Sequence, residues 1–127
     1  MIEFTIPLVP PSVNTYTRHA RGRHFKTKEA AAFEAAFPFF FRNPGCVGET
    51  FRVEIDVWLG PKMHRDIDNL PKQVLDGISR GGLLVNGKGK ILSDYAVKEL
   101  EVRMFSDERD NQRTTVRIYS LDKGRKS

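Results

Sequence analysis

The chain contains little cysteine and no long apolar run: Cys46 is the single cysteine among 127 residues. One cysteine excludes an intrachain disulfide and favours a reducing compartment. No apolar stretch approaches the roughly 20 residues that a membrane-spanning helix needs, and the N-terminus lacks the basic segment of a secretory signal peptide. We therefore expect a cytoplasmic protein that does not associate with membranes.

The sequence also lacks internal repeats, low-complexity segments and linkers, so we expect a single domain over residues 1–127. Its composition, 39% hydrophobic and 29% charged, is that of an ordinary globular protein. Lysine and arginine (21 residues) outnumber aspartate and glutamate (16), which gives a net charge of +5. A basic chain is compatible with a polyanionic partner, although net charge alone does not identify one.

Periodic patterns predict the elements of the fold. Apolar residues at four-residue spacing predict an amphipathic helix through Leu70, Val74 and Ile78. Thr27 is a suitable N-cap for another helix over 29–37, which Pro38 should disturb or end. Alternating or apolar segments predict strands over 2–8, 51–59, 91–104 and 114–121, with a polar hairpin loop over 106–112. This order predicts an α/β or α+β domain with a mixed β-sheet packed against two main helices.

Four of the nine phenylalanines lie within residues 37–41. Core packing beneath the sheet accounts for some of them. Because four aromatic rings in five positions do not easily face one core, an exposed patch used as a subunit interface is the alternative.

The segment from Arg65 to Lys72 places two carboxylates, Asp66 and Asp68, one residue apart before a predicted helix. Such carboxylates point the same way in an extended segment and repel each other, and a divalent cation such as Mg²⁺ removes that repulsion. Lys72 lies about one turn further on, where it reaches either the carboxylates or a phosphate. The alternative is ordinary helix capping by Asp68, with an ion pair between Lys72 and Asp76.

A basic segment, residues 18–28, precedes the first predicted helix and contains no acidic residue. Its glycine and the prolines before it predict an exposed loop. Clustered positive charge of this kind favours phosphate binding, in which released counterions supply affinity irrespective of base sequence. The candidate DNA-binding residues here are Arg18, Arg21, Arg23, Lys26 and Lys28.

The acidic segment, with Lys72 and the Asp76-Gly77-Ile78 that follow, resembles the central motif of the RusA family of Holliday junction resolvases. Pro7 to Asn14, followed by a tyrosine and an Arg-x-Arg stretch, resembles the start of the same proteins. Ser93-Asp94-Tyr95 and the strand after it occupy the position of the family's third strand. The resemblance runs from about Ile2 to Tyr119. It implies a RusA-like endonuclease domain, Mg²⁺ as cofactor, and a symmetric homodimer that acts on four-way DNA junctions.

The chain departs from the family in the turn after the second helix. The family normally has an acidic pair there, and one of its members completes the metal-binding carboxylates, whereas residues 82–90 contain no acid. Either Asp94 supplies the third carboxylate, or Asn86 supplies a neutral oxygen, or the site is weakened. Lys88 and Lys90 make this turn similar to a phosphate clamp.

The leading hypothesis is a magnesium-dependent, structure-selective endodeoxyribonuclease that resolves Holliday junctions in DNA recombination and repair. Asp66, Asp68 and Asp94 would hold the metal, with Asn86 as competitor to Asp94, and Lys72 would stabilise charge on the phosphate. The alternative is a protein that binds branched DNA but whose nuclease site is weakened or lost.

Overall fold

The structure is a computed structural model that describes residues 1–12, 17–20, 23–40 and 45–122; at 17–20, 23–26 and 40 it describes the backbone alone. The strands are β1 (Ile2–Ile6), β2 (Thr17–Ala20), β3 (Arg23–Lys26), β4 (Cys46–Val47), β5 (Phe51–Leu59), β6 (Leu84–Val85), β7 (Val97–Ser106) and β8 (Arg113–Ser120). The helices are α1 (Lys28–Phe40) and α2 (Leu70–Gly81), with 3₁₀ turns at Ile67–Asn69 and Asp94–Ala96. In the described part of the chain, no helix is long and apolar enough to cross a membrane.

Four strands form the main sheet in the order β1-β8-β5-β7. β8 pairs antiparallel with both β1 and β5, whereas β5 and β7 are parallel, from Phe51 opposite Val97 to Leu59 opposite Ser106. Parallel neighbours need a long crossover, and α2 lies in the connection between them. The predicted mixed sheet with two main helices is confirmed.

The main differences from the predicted strands concern the loop before β8, the start of β7 and the end of β1. β5 lies between β7 and β8, so residues 107–112 cross the end of β5 and do not form a hairpin. The strand predicted from Ile91 begins only at Val97, since Asp94–Ala96 forms a 3₁₀ turn and Ile91 makes a single bridge to Val85. β1 ends at Ile6, two residues earlier than predicted.

Helix α1 begins as predicted: Thr27 Oγ1 accepts a hydrogen bond from the Ala30 backbone N–H (3.3 Å). It does not end at Pro38 but continues to Phe40. The Phe37 ring is fully buried against α2, where a Cβ at Gly77 would lie 2.3 Å from a ring carbon. Phe39 is 67% exposed, so the phenylalanine cluster contributes to the core and to the surface.

The two faces of the sheet have different chemistry. On one face β5 contributes Phe51, Val53, Ile55, Val57 and Leu59, all buried in the apolar core with residues of α1 and α2. On the other face, Arg52, Glu54 and Asp56 of β5 form ion pairs with charged residues of β7 and β8. The helices therefore cover one face, and a charged network covers the other.

Candidate active site

The acidic motif lies where the chain enters α2. Asp66 precedes the 3₁₀ turn in an extended conformation (φ −87°, ψ 125°), and Asp68 lies inside the turn. The alternative explanation of the motif, helix capping by Asp68, is wrong, because Asn69 occupies the N-cap position of α2, without a side-chain capping hydrogen bond. Pro71 lies in the first helical turn. The two aspartates therefore do not serve as capping groups.

Both carboxylates are available to a ligand. Asp66 and Asp68 are exposed, and within the described residues neither side chain has a hydrogen-bond or ion-pair partner. Two unpaired negative charges, one residue apart on a surface turn, are the type of hard oxygen donors that Mg²⁺ prefers.

Arg65 anchors this turn to the segment that follows β1. Its Nε donates to the Pro10 carbonyl oxygen (2.7 Å) and its Nη1 donates to the His64 carbonyl oxygen (2.8 Å). Burial lowers the pKa of the Arg65 guanidinium from its ordinary value. Beside it lies a cavity of about 200 Å³, whose lining includes Pro11, Asp66 and Gln73.

Lys72 forms an ion pair with Asp76, as the alternative explanation of the motif predicts. Its Nζ donates to Asp76 Oδ1 (3.1 Å), and the Lys72 side chain is 75% exposed. An exposed i,i+4 pair of this type is worth only about 0.3–0.5 kcal/mol. A phosphate group therefore competes easily for Lys72, and its role at a phosphate stays a prediction.

Asn86 closes the turn between β6 and the second 3₁₀ turn. Its Oδ1 accepts hydrogen bonds from the backbone N–H groups of Lys88 and Lys90, both at 2.9 Å. An amide oxygen has two lone pairs, so Asn86 would have to release part of this turn to bind a cation. The Lys88 and Lys90 side chains are exposed, as a phosphate clamp requires.

Asp94 begins the 3₁₀ turn that packs against α2. Its side chain is half-buried and has no hydrogen-bond or ion-pair partner among the described residues. In the same part of the chain, however, no three His, Cys, Asp or Glu side chains lie close enough to hold a metal ion together. The structure therefore does not bring Asp94, Asp66 and Asp68 into one cluster, and Asp94 as third ligand stays a prediction.

Gln73 belongs to this region although no sequence motif marks it. It lies on the buried face of α2 with Leu70, Val74 and Ile78, and it lines the cavity beside Asp66. The available signal was a polar residue within an otherwise apolar helical stripe. Periodicity alone assigns such a position to the core.

The basic segment is a hairpin in part, which corrects the predicted loop. β2 and β3 pair antiparallel, with Arg18 opposite Phe25 and His19 opposite His24. Arg21 lies outside the described residues, as do the side chains of Arg18, Arg23 and Lys26. Lys28, the first residue of α1, has an exposed side chain. Phosphate binding by these five residues stays a prediction.

Comparison with known proteins supports the resemblance to the RusA family. No family model matches the chain. Curated relatives called crossover junction endodeoxyribonuclease RusA, from Escherichia coli (strain K12), Escherichia coli O139:H28 (strain E24377A / ETEC) and Shigella sonnei (strain Ss046), are each 27% identical to it over 96 residues. The match covers 73% of this chain and 78% of each relative. The predicted resemblance to RusA is confirmed.

The similarity to RusA includes the candidate site. A match over 73% of a 127-residue chain must contain its central residues, wherever the match begins. Asp66, Asp68 and Lys72 therefore lie within the part of the chain that is similar to RusA.

Proposed function

We propose that this protein is a metal-dependent endodeoxyribonuclease that cuts branched DNA, four-way junctions in particular, during recombination and repair. The observation that carries the proposal is that the carboxylates of Asp66 and Asp68 are exposed and have no partner among the described residues. They lie in the part of the chain that is similar to relatives called crossover junction endodeoxyribonuclease. The cytoplasmic location expected from the sequence is part of this proposal.

The donor chemistry fits a hard divalent cation. Mg²⁺ is usually held by one or two carboxylates, and water and substrate phosphate oxygens complete its coordination. Asp66 and Asp68 supply two carboxylates, and Asp94 is the candidate third. When bound, Mg²⁺ would polarise the scissile phosphodiester and lower the pKa of a bound water.

The chain's own cations would bind and orient the DNA. Lys72 would exchange its weak pair with Asp76 for a phosphate oxygen and stabilise the charge that develops there. Lys88 and Lys90 would hold a second phosphate beside the Asn86 turn. The residues proposed for the arms of the junction are Arg18, Arg21, Arg23, Lys26 and Lys28.

We further propose a homodimer, because two identical sites related by a two-fold axis match the two strands to be cut at a nearly two-fold junction. β7 is an edge strand of the sheet, and Leu100, Met104 and Phe105 are exposed along it. A second copy of the chain is the partner that this edge would accept. Analytical ultracentrifugation at several protein concentrations tests this, and a monomer at all of them contradicts it.

A second candidate function is binding of branched DNA without cleavage. It is favoured by the absence of a three-ligand acidic cluster among the described residues and by the engagement of Asn86 in its turn. One experiment separates the two functions: a synthetic four-way junction is incubated with the protein, with and without Mg²⁺. Magnesium-dependent nicking supports the nuclease. A gel shift without nicking under any divalent cation supports the binding protein.

A further inference from the structure

Gln73 presents a buried polar atom without a partner. The residue is 2% exposed, and among the described residues its Oε1 accepts no hydrogen bond. Its Nε2 donates weakly to the Asn69 carbonyl oxygen, at 3.4 Å. Leaving a buried acceptor unsatisfied is destabilising, and such groups in a native structure usually have a ligand, a water or a function.

Gln73 is also one of the residues that line the cavity beside Asp66. Its volume, about 200 Å³, is several times the share of one water, about 30 Å³, so the cavity has room for a small hydrated ion. Arg65, also in the lining, directs its Nε and Nη1 to the backbone oxygens of Pro10 and His64. These two Arg65 nitrogens therefore do not serve Gln73 Oε1, and a ligand in the cavity is a source of the donor that it lacks.

We propose that Gln73 is a positioning residue, whose Oε1 accepts a hydrogen bond from a water bound to a divalent cation held at Asp66. The proposal rests on the metal site of the proposed function and adds a residue to it. Mg²⁺ dehydrates reluctantly and retains waters that donate hydrogen bonds to nearby oxygens. Acceptors that hold such waters orient the site and contribute to metal affinity. A free acceptor on a residue that lines the same cavity as Asp66, rather than a further donor, is the group that this arrangement needs.

The test measures Mn²⁺ binding to the full chain without DNA, by electron paramagnetic resonance. Gln73→Met keeps the length of the side chain and removes the oxygen, so we expect the Kd for Mn²⁺ to rise about tenfold or more. Gln73→Glu keeps an oxygen and adds a negative charge, so the Kd should fall. Ser79→Ala is the matched control, because Ser79 Oγ on the same helix is also buried without a partner in the described part of the chain, and Ser79 does not line the cavity. Its Kd should equal that of the wild type.

A thermal scan without metal separates positioning from structure. Gln73→Met removes an unpaired buried acceptor, so its Tm should equal or exceed that of the wild type even though Mn²⁺ binding is weakened. A purely structural glutamine would show a lower Tm and an unchanged Kd. That result overturns the proposal, and if Gln73→Met does not fold, an unchanged Kd in Gln73→Glu overturns it.

Failure of this proposal is distinguishable from failure of the proposed function. A wild-type protein that binds Mn²⁺ through Gln73 but never nicks a junction refutes the nuclease alone. A wild-type protein that nicks junctions while the Gln73 variants bind Mn²⁺ normally refutes only the role of Gln73. A wild-type protein that binds no Mn²⁺ refutes both the metal site of the proposed function and the role of Gln73.

Discussion

The charged face of the sheet and the turn before α2 both carry acidic side chains. Among the described residues, only the acidic side chains on the sheet have arginine partners. On the sheet, Arg117 donates to Glu54 Oε1 (2.9 Å) and to Asp56 Oδ2 (2.7 Å), and Arg103 also donates to Asp56 (2.9 Å). At the turn, the carboxylates of Asp66 and Asp68 have no such partner among the described residues. Paired acids hold strands together, whereas unpaired acids remain available for a ligand.

The pairing on the sheet also changes protonation. A hydrogen bond from Arg117 is the main reason that the pKa of Glu54 lies below its ordinary value. The same network raises the pKa of Arg117 above its ordinary range, chiefly through its hydrogen bond to Asp56. Protonation of Glu54 would remove one of the acidic partners of the half-buried Arg117, so this face depends on charge for its stability.

The largest contrast should come from removing one unpaired charge. Asp68→Asn should abolish magnesium-dependent nicking of a four-way junction while junction binding persists, because it removes a metal ligand and a negative charge near the DNA. Nicking and gel-shift assays on the same preparation measure both. Asp110→Asn, at an exposed aspartate of the loop after β7, is the control and should cut normally. Normal nicking by folded Asp68→Asn would refute the metal assignment.

Variants of Asp94 and Asn86 show which of the two residues is the third metal ligand. If Asp94 completes the site, Asp94→Asn should abolish nicking as fully as Asp66→Asn. Asn86→Ala should retain nicking but unfold more easily, by about 1–2 kcal/mol, since it removes two hydrogen bonds that close its turn. Nicking rates and urea unfolding provide the two measurements. The reverse ranking of rates would make Asn86 the ligand, and full activity in both variants would exclude both residues.

Substitutions in the charged network on the sheet should change the stability of the protein and not its nicking activity. Arg117→Ala removes the guanidinium that Glu54 and Asp56 share, although Glu54 retains Arg52 and Asp56 retains Arg103. We expect the free energy of unfolding to fall by about 2 kcal/mol, the cost of losing charge-assisted hydrogen bonds in a partly buried network. Arg109→Ala is the matched control: its side chain is 82% exposed and its partner Asp107 retains Arg113, so the loss should be below about 1 kcal/mol. Equal losses in the two variants would show that the network contributes little.

The smallest expected effect is the response of this network to acid. Because the pKa of Glu54 is lowered in the folded state, its contribution is present above the ordinary glutamate pKa of about 4.3 and is lost as pH falls through the folded value. Arg117→Ala should reduce this acid sensitivity, since Arg117 is its main cause. Urea midpoints between neutral and acidic pH measure the slope. An identical slope in wild type and variant would contradict the assignment.

The sequence predicted elements whose signal is local. β5 alternates apolar and polar residues, and α2 repeats apolar residues through Leu70, Val74 and Ile78, so both were found. The start of β7 at Val97 depends on pairing with β5, which periodicity does not report. The β2–β3 hairpin pairs two short basic segments that do not alternate apolar and polar residues, so periodicity did not indicate it. Asp66 and Asp68 were found because adjacent carboxylates repel without a ligand. Gln73 was missed because only the folded cavity brings it beside Asp66.

The most direct test of the central claim, that the unpaired carboxylates before α2 bind a divalent cation, is a calorimetric titration of the wild type and the Asp66→Asn/Asp68→Asn double variant with Mg²⁺ or Mn²⁺. The account predicts one cation per chain for the wild type and none for the double variant, with unchanged circular dichroism in both. Equal binding by the two proteins would contradict it.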